Sequence, residues 1–150
     1  MSVVIEKGDP RDPAATSLLQ QSHALMQEKF PAESNHYLSI DDLCTPDIHF
    51  FVARVDGEIL GCAALAIKAG YAELKSMFVD PAARGNNLGK RLLDHIDDVA
   101  CSLDQTVIRL ETGDTLKAAH RLYENHGYVY RGAFGSYPED PISLFMEKTL

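Results

Sequence analysis

The run Arg84-Gly85-Asn86-Asn87-Leu88-Gly89-Lys90 has the composition that a phosphate ligand requires. Glycine at 85 and 89 lets backbone approach a ligand closely, because no Cβ stands in the way. A helical pattern begins at Asn87, so the first amides after it lack intrahelical acceptors and point at whatever sits before the helix. The helix dipole adds partial positive charge there, and Arg84, Lys90 and Arg91 can add full charges, which suits a diphosphate. Two well-known phosphate loops do not match: no Gly-Lys-Ser/Thr follows at P-loop spacing, and the glycines do not form G-x-G-x-x-G. The alternative is that Gly85 and Gly89 only shape a strand-to-helix turn.

Other chemistries find less support. Cys44, Cys62 and Cys101 are odd in number and lack zinc-site spacing, so they read as reduced thiols. Cys62 falls inside a strand pattern and Cys101 inside a helix, and neither has a base predicted beside it, which disfavours a covalent cysteine route. A formal charge of −8 argues against a nucleic-acid groove, since duplex binding needs many Lys and Arg on phosphates. Cationic acceptors suit such a surface better. With 150 residues, 45% of them hydrophobic, one domain spanning 1–150 can bury a core without metal or disulfide. No run is long and apolar enough to span a bilayer, and Met1 to Glu6 lacks signal-peptide features, so a cytoplasmic setting is expected.

The elements that must position this loop follow from periodicity. Ser2 to Lys7 reads as a strand, and prolines at 10 and 13 precede a helix over Ala15 to Phe30 with Leu18, Leu19, Ser22, Leu25 and Met26 on one side. A short helix is expected around Ile40 to Leu43. His49 to Val55 and Glu58 to Lys68 are β-rich and joined by Asp56-Gly57, a two-residue hairpin signal. After a turn at Ala69-Gly70, alternation over Tyr71 to Val79 places Glu73, Lys75, Met77 and Val79 on one face. Asn87 to Leu103 is strongly amphipathic, Thr106 to Glu111 reads as a strand, and Thr115 to His126 as a helix ended by Gly127. Tyr128 to Gly132 and Ser143 to Lys148 complete the set. Hairpins impose antiparallel pairs and helical crossovers impose parallel ones, so an α/β (α+β) fold is expected, with a mixed, mostly antiparallel sheet and helices on both faces.

Arg84-Gly85-x-x-Leu88-Gly89 after Met77-Phe78-Val79-Asp80-Pro81 resembles the acetyl-coenzyme A loop of the GNAT acetyltransferases. A second segment, Glu111-Thr112-Gly113 then Ala119-x-x-Leu122-Tyr123-x-x-x-Gly127-Tyr128, is similar to the later strand and helix of that family. The resemblance covers Phe50 to Lys148. The closing stretch from Tyr137 to Lys148 looks like the end of a bacterial subgroup of small members. The resemblance implies an N-acetyltransferase that moves acetyl from acetyl-CoA to a primary amine in a ternary complex, without a metal. It also implies that Met77, Phe78 and Val79 pair with pantetheine, and that the loop Arg84, Gly85, Asn86, Asn87, Leu88, Gly89 and Lys90 binds the pyrophosphate. Ala119 and Tyr123 would complete the cofactor site. Asn87 stands where many relatives have glycine, and Leu116 where many have a cofactor-binding asparagine.

The same resemblance gives roles. Tyr123 matches the tyrosine beside the thioester sulfur, which can protonate the departing thiolate. Glu73 matches a carboxylate facing the acceptor and is the first candidate base, unless it is an exposed strand residue balanced by Lys75. Glu111 is the runner-up, and a water chain is a third route. His36, Tyr37, His49 and Tyr71 are candidates to line an acceptor pocket. The acceptor is a small-molecule or peptide amine, neither nucleic acid nor membrane is expected as a partner, and a homodimer through a sheet edge is a further expectation. Two rival classes remain: a non-catalytic acyl-CoA-binding or sensing module, and an acidic scaffold that docks basic chains.

Overall fold

The computed structural model describes residues 2–83 and 85–150. Strand β1 (Val3–Lys7) leads to helix α1 (Pro13–Lys29), a 3-10 turn at Ala32–Ser34 and the short helix α2 (Ile40–Leu43). A meander follows: β2 (Ile48–Val55), β3 (Glu58–Ile67) and β4 (Ala72–Val79). Helix α3 (Leu88–Ser102), β5 (Val107–Gly113), α4 (Lys117–Asn125), β6 (Val129–Arg131) and β7 (Ser143–Thr149) complete the chain. The strands form one seven-stranded sheet in the order β1-β2-β3-β4-β5-β7-β6. Every neighbouring pair is antiparallel except β4 and β5, which are joined through α3.

Local chemistry accounts for the boundaries. Asp12 caps α1 by accepting from the Ala14 amide, and Pro13 sits at the first helical position, where its missing N–H costs nothing. The expected start at Ala15 is therefore two residues late. Asp56 and Gly57 both have positive φ, 51° and 87°, as a hairpin turn matching strand twist requires. Gly127, at φ 94°, follows the end of α4 as expected.

Two apolar layers hold helices to the sheet. Leu88, Leu92, Leu93 and Ile96 of α3 pack with Leu65, Leu74, Ile108 and Leu110 on one face. Ala15, Leu18 and Leu19 of α1 and Leu43 of α2 pack with Phe50, Val52, Ala64 and Phe78 on the other. On the first face α3 and α4 approach closely at Gly89, where an added Cβ would stand 2.8 Å from Leu122 Cδ2.

Strand β4 departs from simple alternation. Its pairing with β3 shifts between Cys62 and Ala64, so Ser76 and Met77 oppose the single residue Ala63, and Ser76 has φ 53°. This β-bulge resets the strand's phase. Met77 and Val79 join the α3 layer with Ala72 and Leu74, while Phe78 joins the α1 layer. The expectation that Glu73, Lys75, Met77 and Val79 share a face is thus corrected: Glu73 and Lys75 lie opposite the other two.

Candidate active site

Below the bulge, the ladder between β4 and β5 holds only the pairs Ala72–Ile108 and Glu73–Arg109 among the described residues. Past these pairs the strands separate, and the β4 backbone from Leu74 onward faces a gap instead of a ladder partner. A cleft of about 680 Å³ opens beside it, within the range of small-molecule sites. Its wall is Met77, Phe78 and Val79 of β4, and its end is the loop and first turn of α3, with Gly85, Asn87, Leu88, Gly89 and Lys90. Asn87 adopts a left-handed conformation (φ 58°, ψ 25°) that asparagine tolerates. No side chain caps the first α3 amides among the described residues, so these donors remain available. Lys29, Lys90 and Lys117 line the same cleft, and no Asp or Glu does among the described residues. This donor set fits a polyanionic ligand.

A second cavity, of about 140 Å³, lies deeper between β4, β5 and the segment after α1. Both spaces are lined by Met26, Met77, Leu116, Ala119 and Tyr123, so they meet there. Tyr123 projects from α4 and is 7% exposed, and its hydroxyl has no hydrogen-bond partner among the described residues. Burial pushes its phenol well above the ordinary range, and the Glu111 charge pushes it further. At neutral pH it is a protonated donor at the junction.

Glu111, on β5, is the one Asp or Glu lining the inner cavity among the described residues. Burial raises its carboxyl above the usual range; the Ser143 hydroxyl, then the His36 and Lys75 charges, oppose that shift, and Glu73 reinforces it. A carboxylate so placed accepts a proton more readily than an exposed one.

Glu73 is also buried, at 4% exposure, and does not line the cavity. The Tyr137 hydroxyl donates to Glu73 Oε2 at 2.5 Å, and Lys75 Nζ lies 3.5 Å from the same oxygen. Lys75 in turn donates to Tyr137 Oη at 2.6 Å and to the His36 carbonyl at 3.0 Å. Burial, then the Glu73 charge and its hydrogen bond, hold the Tyr137 phenol well above its usual range. Tyr137 arrives on the long β6–β7 connection, which Asp140 ties to Ser34 after α1 through a 2.6 Å hydrogen bond from the serine hydroxyl. Of the two options for Glu73, the pairing with Lys75 is present but the exposure is not.

The structure brings most other sequence candidates together. His36 and Tyr37 line the inner cavity, whereas His49 and Tyr71 do not. Asn86 turns inward, donating from its amide to the Ala83 carbonyl at 3.0 Å, and does not line the outer cleft. Arg84 lies outside the described residues. Cys62 is fully buried with its thiol pushed up to about 12, which removes it as a nucleophile at neutral pH. No group of three or more metal-ligating side chains occurs among the described residues. Sequence reading missed Tyr137, Lys29 and Lys117 as site residues. Tyr137 and Lys75 are 62 positions apart, and no local pattern signals that contact.

Residues 46–130 match the family model described as an acetyltransferase (GNAT) domain. The chain is 43% identical over 99% of both sequences to an IAA acetyltransferase of Azospirillum brasilense. It is 34% identical to YsnE, an uncharacterized N-acetyltransferase of Bacillus subtilis, over 89% of this chain and 91% of that one. Among solved structures, a Klebsiella pneumoniae protein described as an acyl-CoA N-acyltransferase superposes with a TM-score of 0.83 at 33% identity, covering 99% of this chain and 97% of that one. A PaiA N-acetyltransferase from Thermoplasma acidophilum, in complex with coenzyme A, superposes with a TM-score of 0.79 at 19% identity over 100% of both chains, a likeness of fold.

Proposed function

Because the chain belongs to the GNAT acetyltransferase family, we propose that it acts as one domain that transfers acetyl from acetyl-coenzyme A to a primary amine by direct attack, with both substrates bound together. The observation that carries this reading is the meeting of a cofactor-sized cleft with a small inner cavity at Tyr123. The setting proposed is cytoplasmic; no described helix is long and apolar enough to cross a membrane.

In this reading the uncapped α3 amides and the nearby Lys90 hold the pyrophosphate, and the β4 backbone at Met77 to Val79, which has no partner on its β5 side, receives the pantetheine arm. Acetyl-coenzyme A supplies the activated acyl group and a thiolate leaving group. Glu111 takes one proton from the incoming ammonium before attack, since a lysine-like amine, of pKa about 10.4, arrives protonated, and the neutral amine then forms the C–N bond. Tyr123 donates its proton to the sulfur as the C–S bond breaks, giving coenzyme A thiol, and the second proton that the nitrogen sheds on becoming an amide restores the phenol. Burial favours both assignments, because it keeps the tyrosine protonated and makes Glu111 more basic. Glu111 takes the base role over Glu73, whose carboxylate is occupied by Tyr137 and Lys75.

The test is release of free thiol from acetyl-coenzyme A across a panel of small amines. Turnover of at least one amine is expected. A protein stabilised by coenzyme A that acetylates nothing in the panel would instead support an acyl-CoA-binding module.

A further inference from the structure

The inner cavity has an asymmetry of charge that bears on which amine it accepts. Lys75 is the one Lys or Arg lining it among the described residues, and Glu111 the one carboxylate. An ammonium has three N–H donors. Those of Lys75 are directed at the His36 carbonyl, at Tyr137 Oη and toward Glu73 at 3.0, 2.6 and 3.5 Å, and its side chain is only 11% exposed. Glu73 therefore cancels the Lys75 charge, and Tyr137 and His36 occupy its donors. The other basic lining group, the His36 imidazole, meets the Tyr137 ring edge-on at 5.3 Å between centroids, and its Nε2 is buried without a hydrogen-bond partner among the described residues. What the cavity offers an incoming molecule is the Glu111 carboxylate and the unpartnered His36 nitrogen, with no Lys or Arg donor left free among the described residues.

Building on the proposed acetyl transfer, we propose that the acceptor is a small amine carrying no carboxylate, and that Glu73 and Tyr137 determine this specificity by neutralising and occupying Lys75. A cationic amine meets a complementary charge at Glu111. An amino acid brings, besides the amine, a carboxylate that must be desolvated close to Glu111 with no free Lys or Arg to receive it, which is heavily penalised. The volume of about 140 Å³ agrees with a small acceptor, being close to a cavity that admits a benzene-sized guest.

Matched pairs that differ only in the carboxylate test this: ethanolamine against serine, and 2-phenylethylamine against phenylalanine. The native protein should prefer the amine by about 100-fold in kcat/KM. Glu73→Gln keeps the shape but leaves the Lys75 charge unbalanced, so the ratio should fall about tenfold as acids gain and amines lose. Adding Lys75→Met to that variant should restore the ratio. Coenzyme A must still raise the melting temperature of each variant, which separates altered specificity from failed folding. Equal turnover of serine and ethanolamine by the native protein would overturn the acceptor class and leave the proposed reaction standing. So would a Glu73→Gln variant that loses all acceptors alike, since that result assigns Glu73 to the chemistry. Failure of every amine with a coenzyme-stabilised protein would remove the proposed reaction and the acceptor class with it.

Discussion

Burial pushes both the Tyr123 phenol and the Glu111 carboxyl above their ordinary ranges, and in the proposed transfer the same shift would serve opposite directions of proton traffic. A tyrosine raised by burial stays protonated and can only donate. A carboxyl raised by burial holds a captured proton more firmly. Tyr123→Phe should therefore lower kcat by about 100-fold while leaving the KM for acetyl-coenzyme A nearly unchanged, read from steady-state kinetics. Glu111 makes two further predictions. Activity should fall as pH drops through a limb lying above the usual carboxylate range, and Glu111→Gln should flatten that limb. His36, Lys75, Glu73, Tyr123 and Tyr137 are the titratable neighbours that shape it. Because the folded value is raised, the stability linked to this group is fully present below its unfolded value and is lost as pH rises through the folded one. Glu111→Gln should accordingly raise the melting temperature at pH 8 and have no such effect at pH 4; a gain confined to acid pH would have the wrong sign.

Among the elements, β4 does most to make the site, through one residue. Ser76 at φ 53° inserts the bulge that turns Met77 and Val79 toward α3. A β-branched residue is poorly tolerated there, so Ser76→Val should cost about 1–3 kcal/mol in denaturant melts, whereas Ser76→Gly should be close to neutral. The bulge also shows where the sequence was legible. Hairpin turns, capped helices and the Gly85–Gly89 loop are written in contiguous residues, so periodicity and turn chemistry found them and the sheet they build. Alternation along β4 held from Ala72 to Lys75 and then failed, because serine does not announce a left-handed conformation as glycine or asparagine would. The surroundings of the first candidate base were equally out of reach. The resemblance recommends a carboxylate at Glu73, but its partner Tyr137 comes from a loop 64 residues later, and contacts at that separation leave no local pattern.

Considered as a whole, the molecule poses an electrostatic difficulty for its proposed co-substrate. The chain carries a formal charge of −8, and acetyl-coenzyme A is itself a polyanion, so the average field opposes their encounter. The outer cleft reverses that field locally: Lys29 comes from α1, Lys90 from α3 and Lys117 from α4, and no carboxylate lines the cleft among the described residues. Lys90 shares its charge with Asp94 at 2.9 Å, while Lys29 and Lys117 form no ion pair among the described residues. Three helices thus converge to place cations where the proposed co-substrate would bring its phosphates. Each exposed pair contributes little, on the order of 0.5–1 kcal/mol, but reversing a charge removes one attraction and adds one repulsion. Lys117→Glu should raise the KM for acetyl-coenzyme A about tenfold, with a much smaller change in kcat at saturation. The same variant should respond less to ionic strength. In the native protein, added salt should raise the KM for acetyl-coenzyme A by screening the three cations, and losing one of them flattens that slope. A Lys117→Glu variant that kept both its KM and its salt dependence would mean that the α3 amides capture the phosphates without help from the α4 cation.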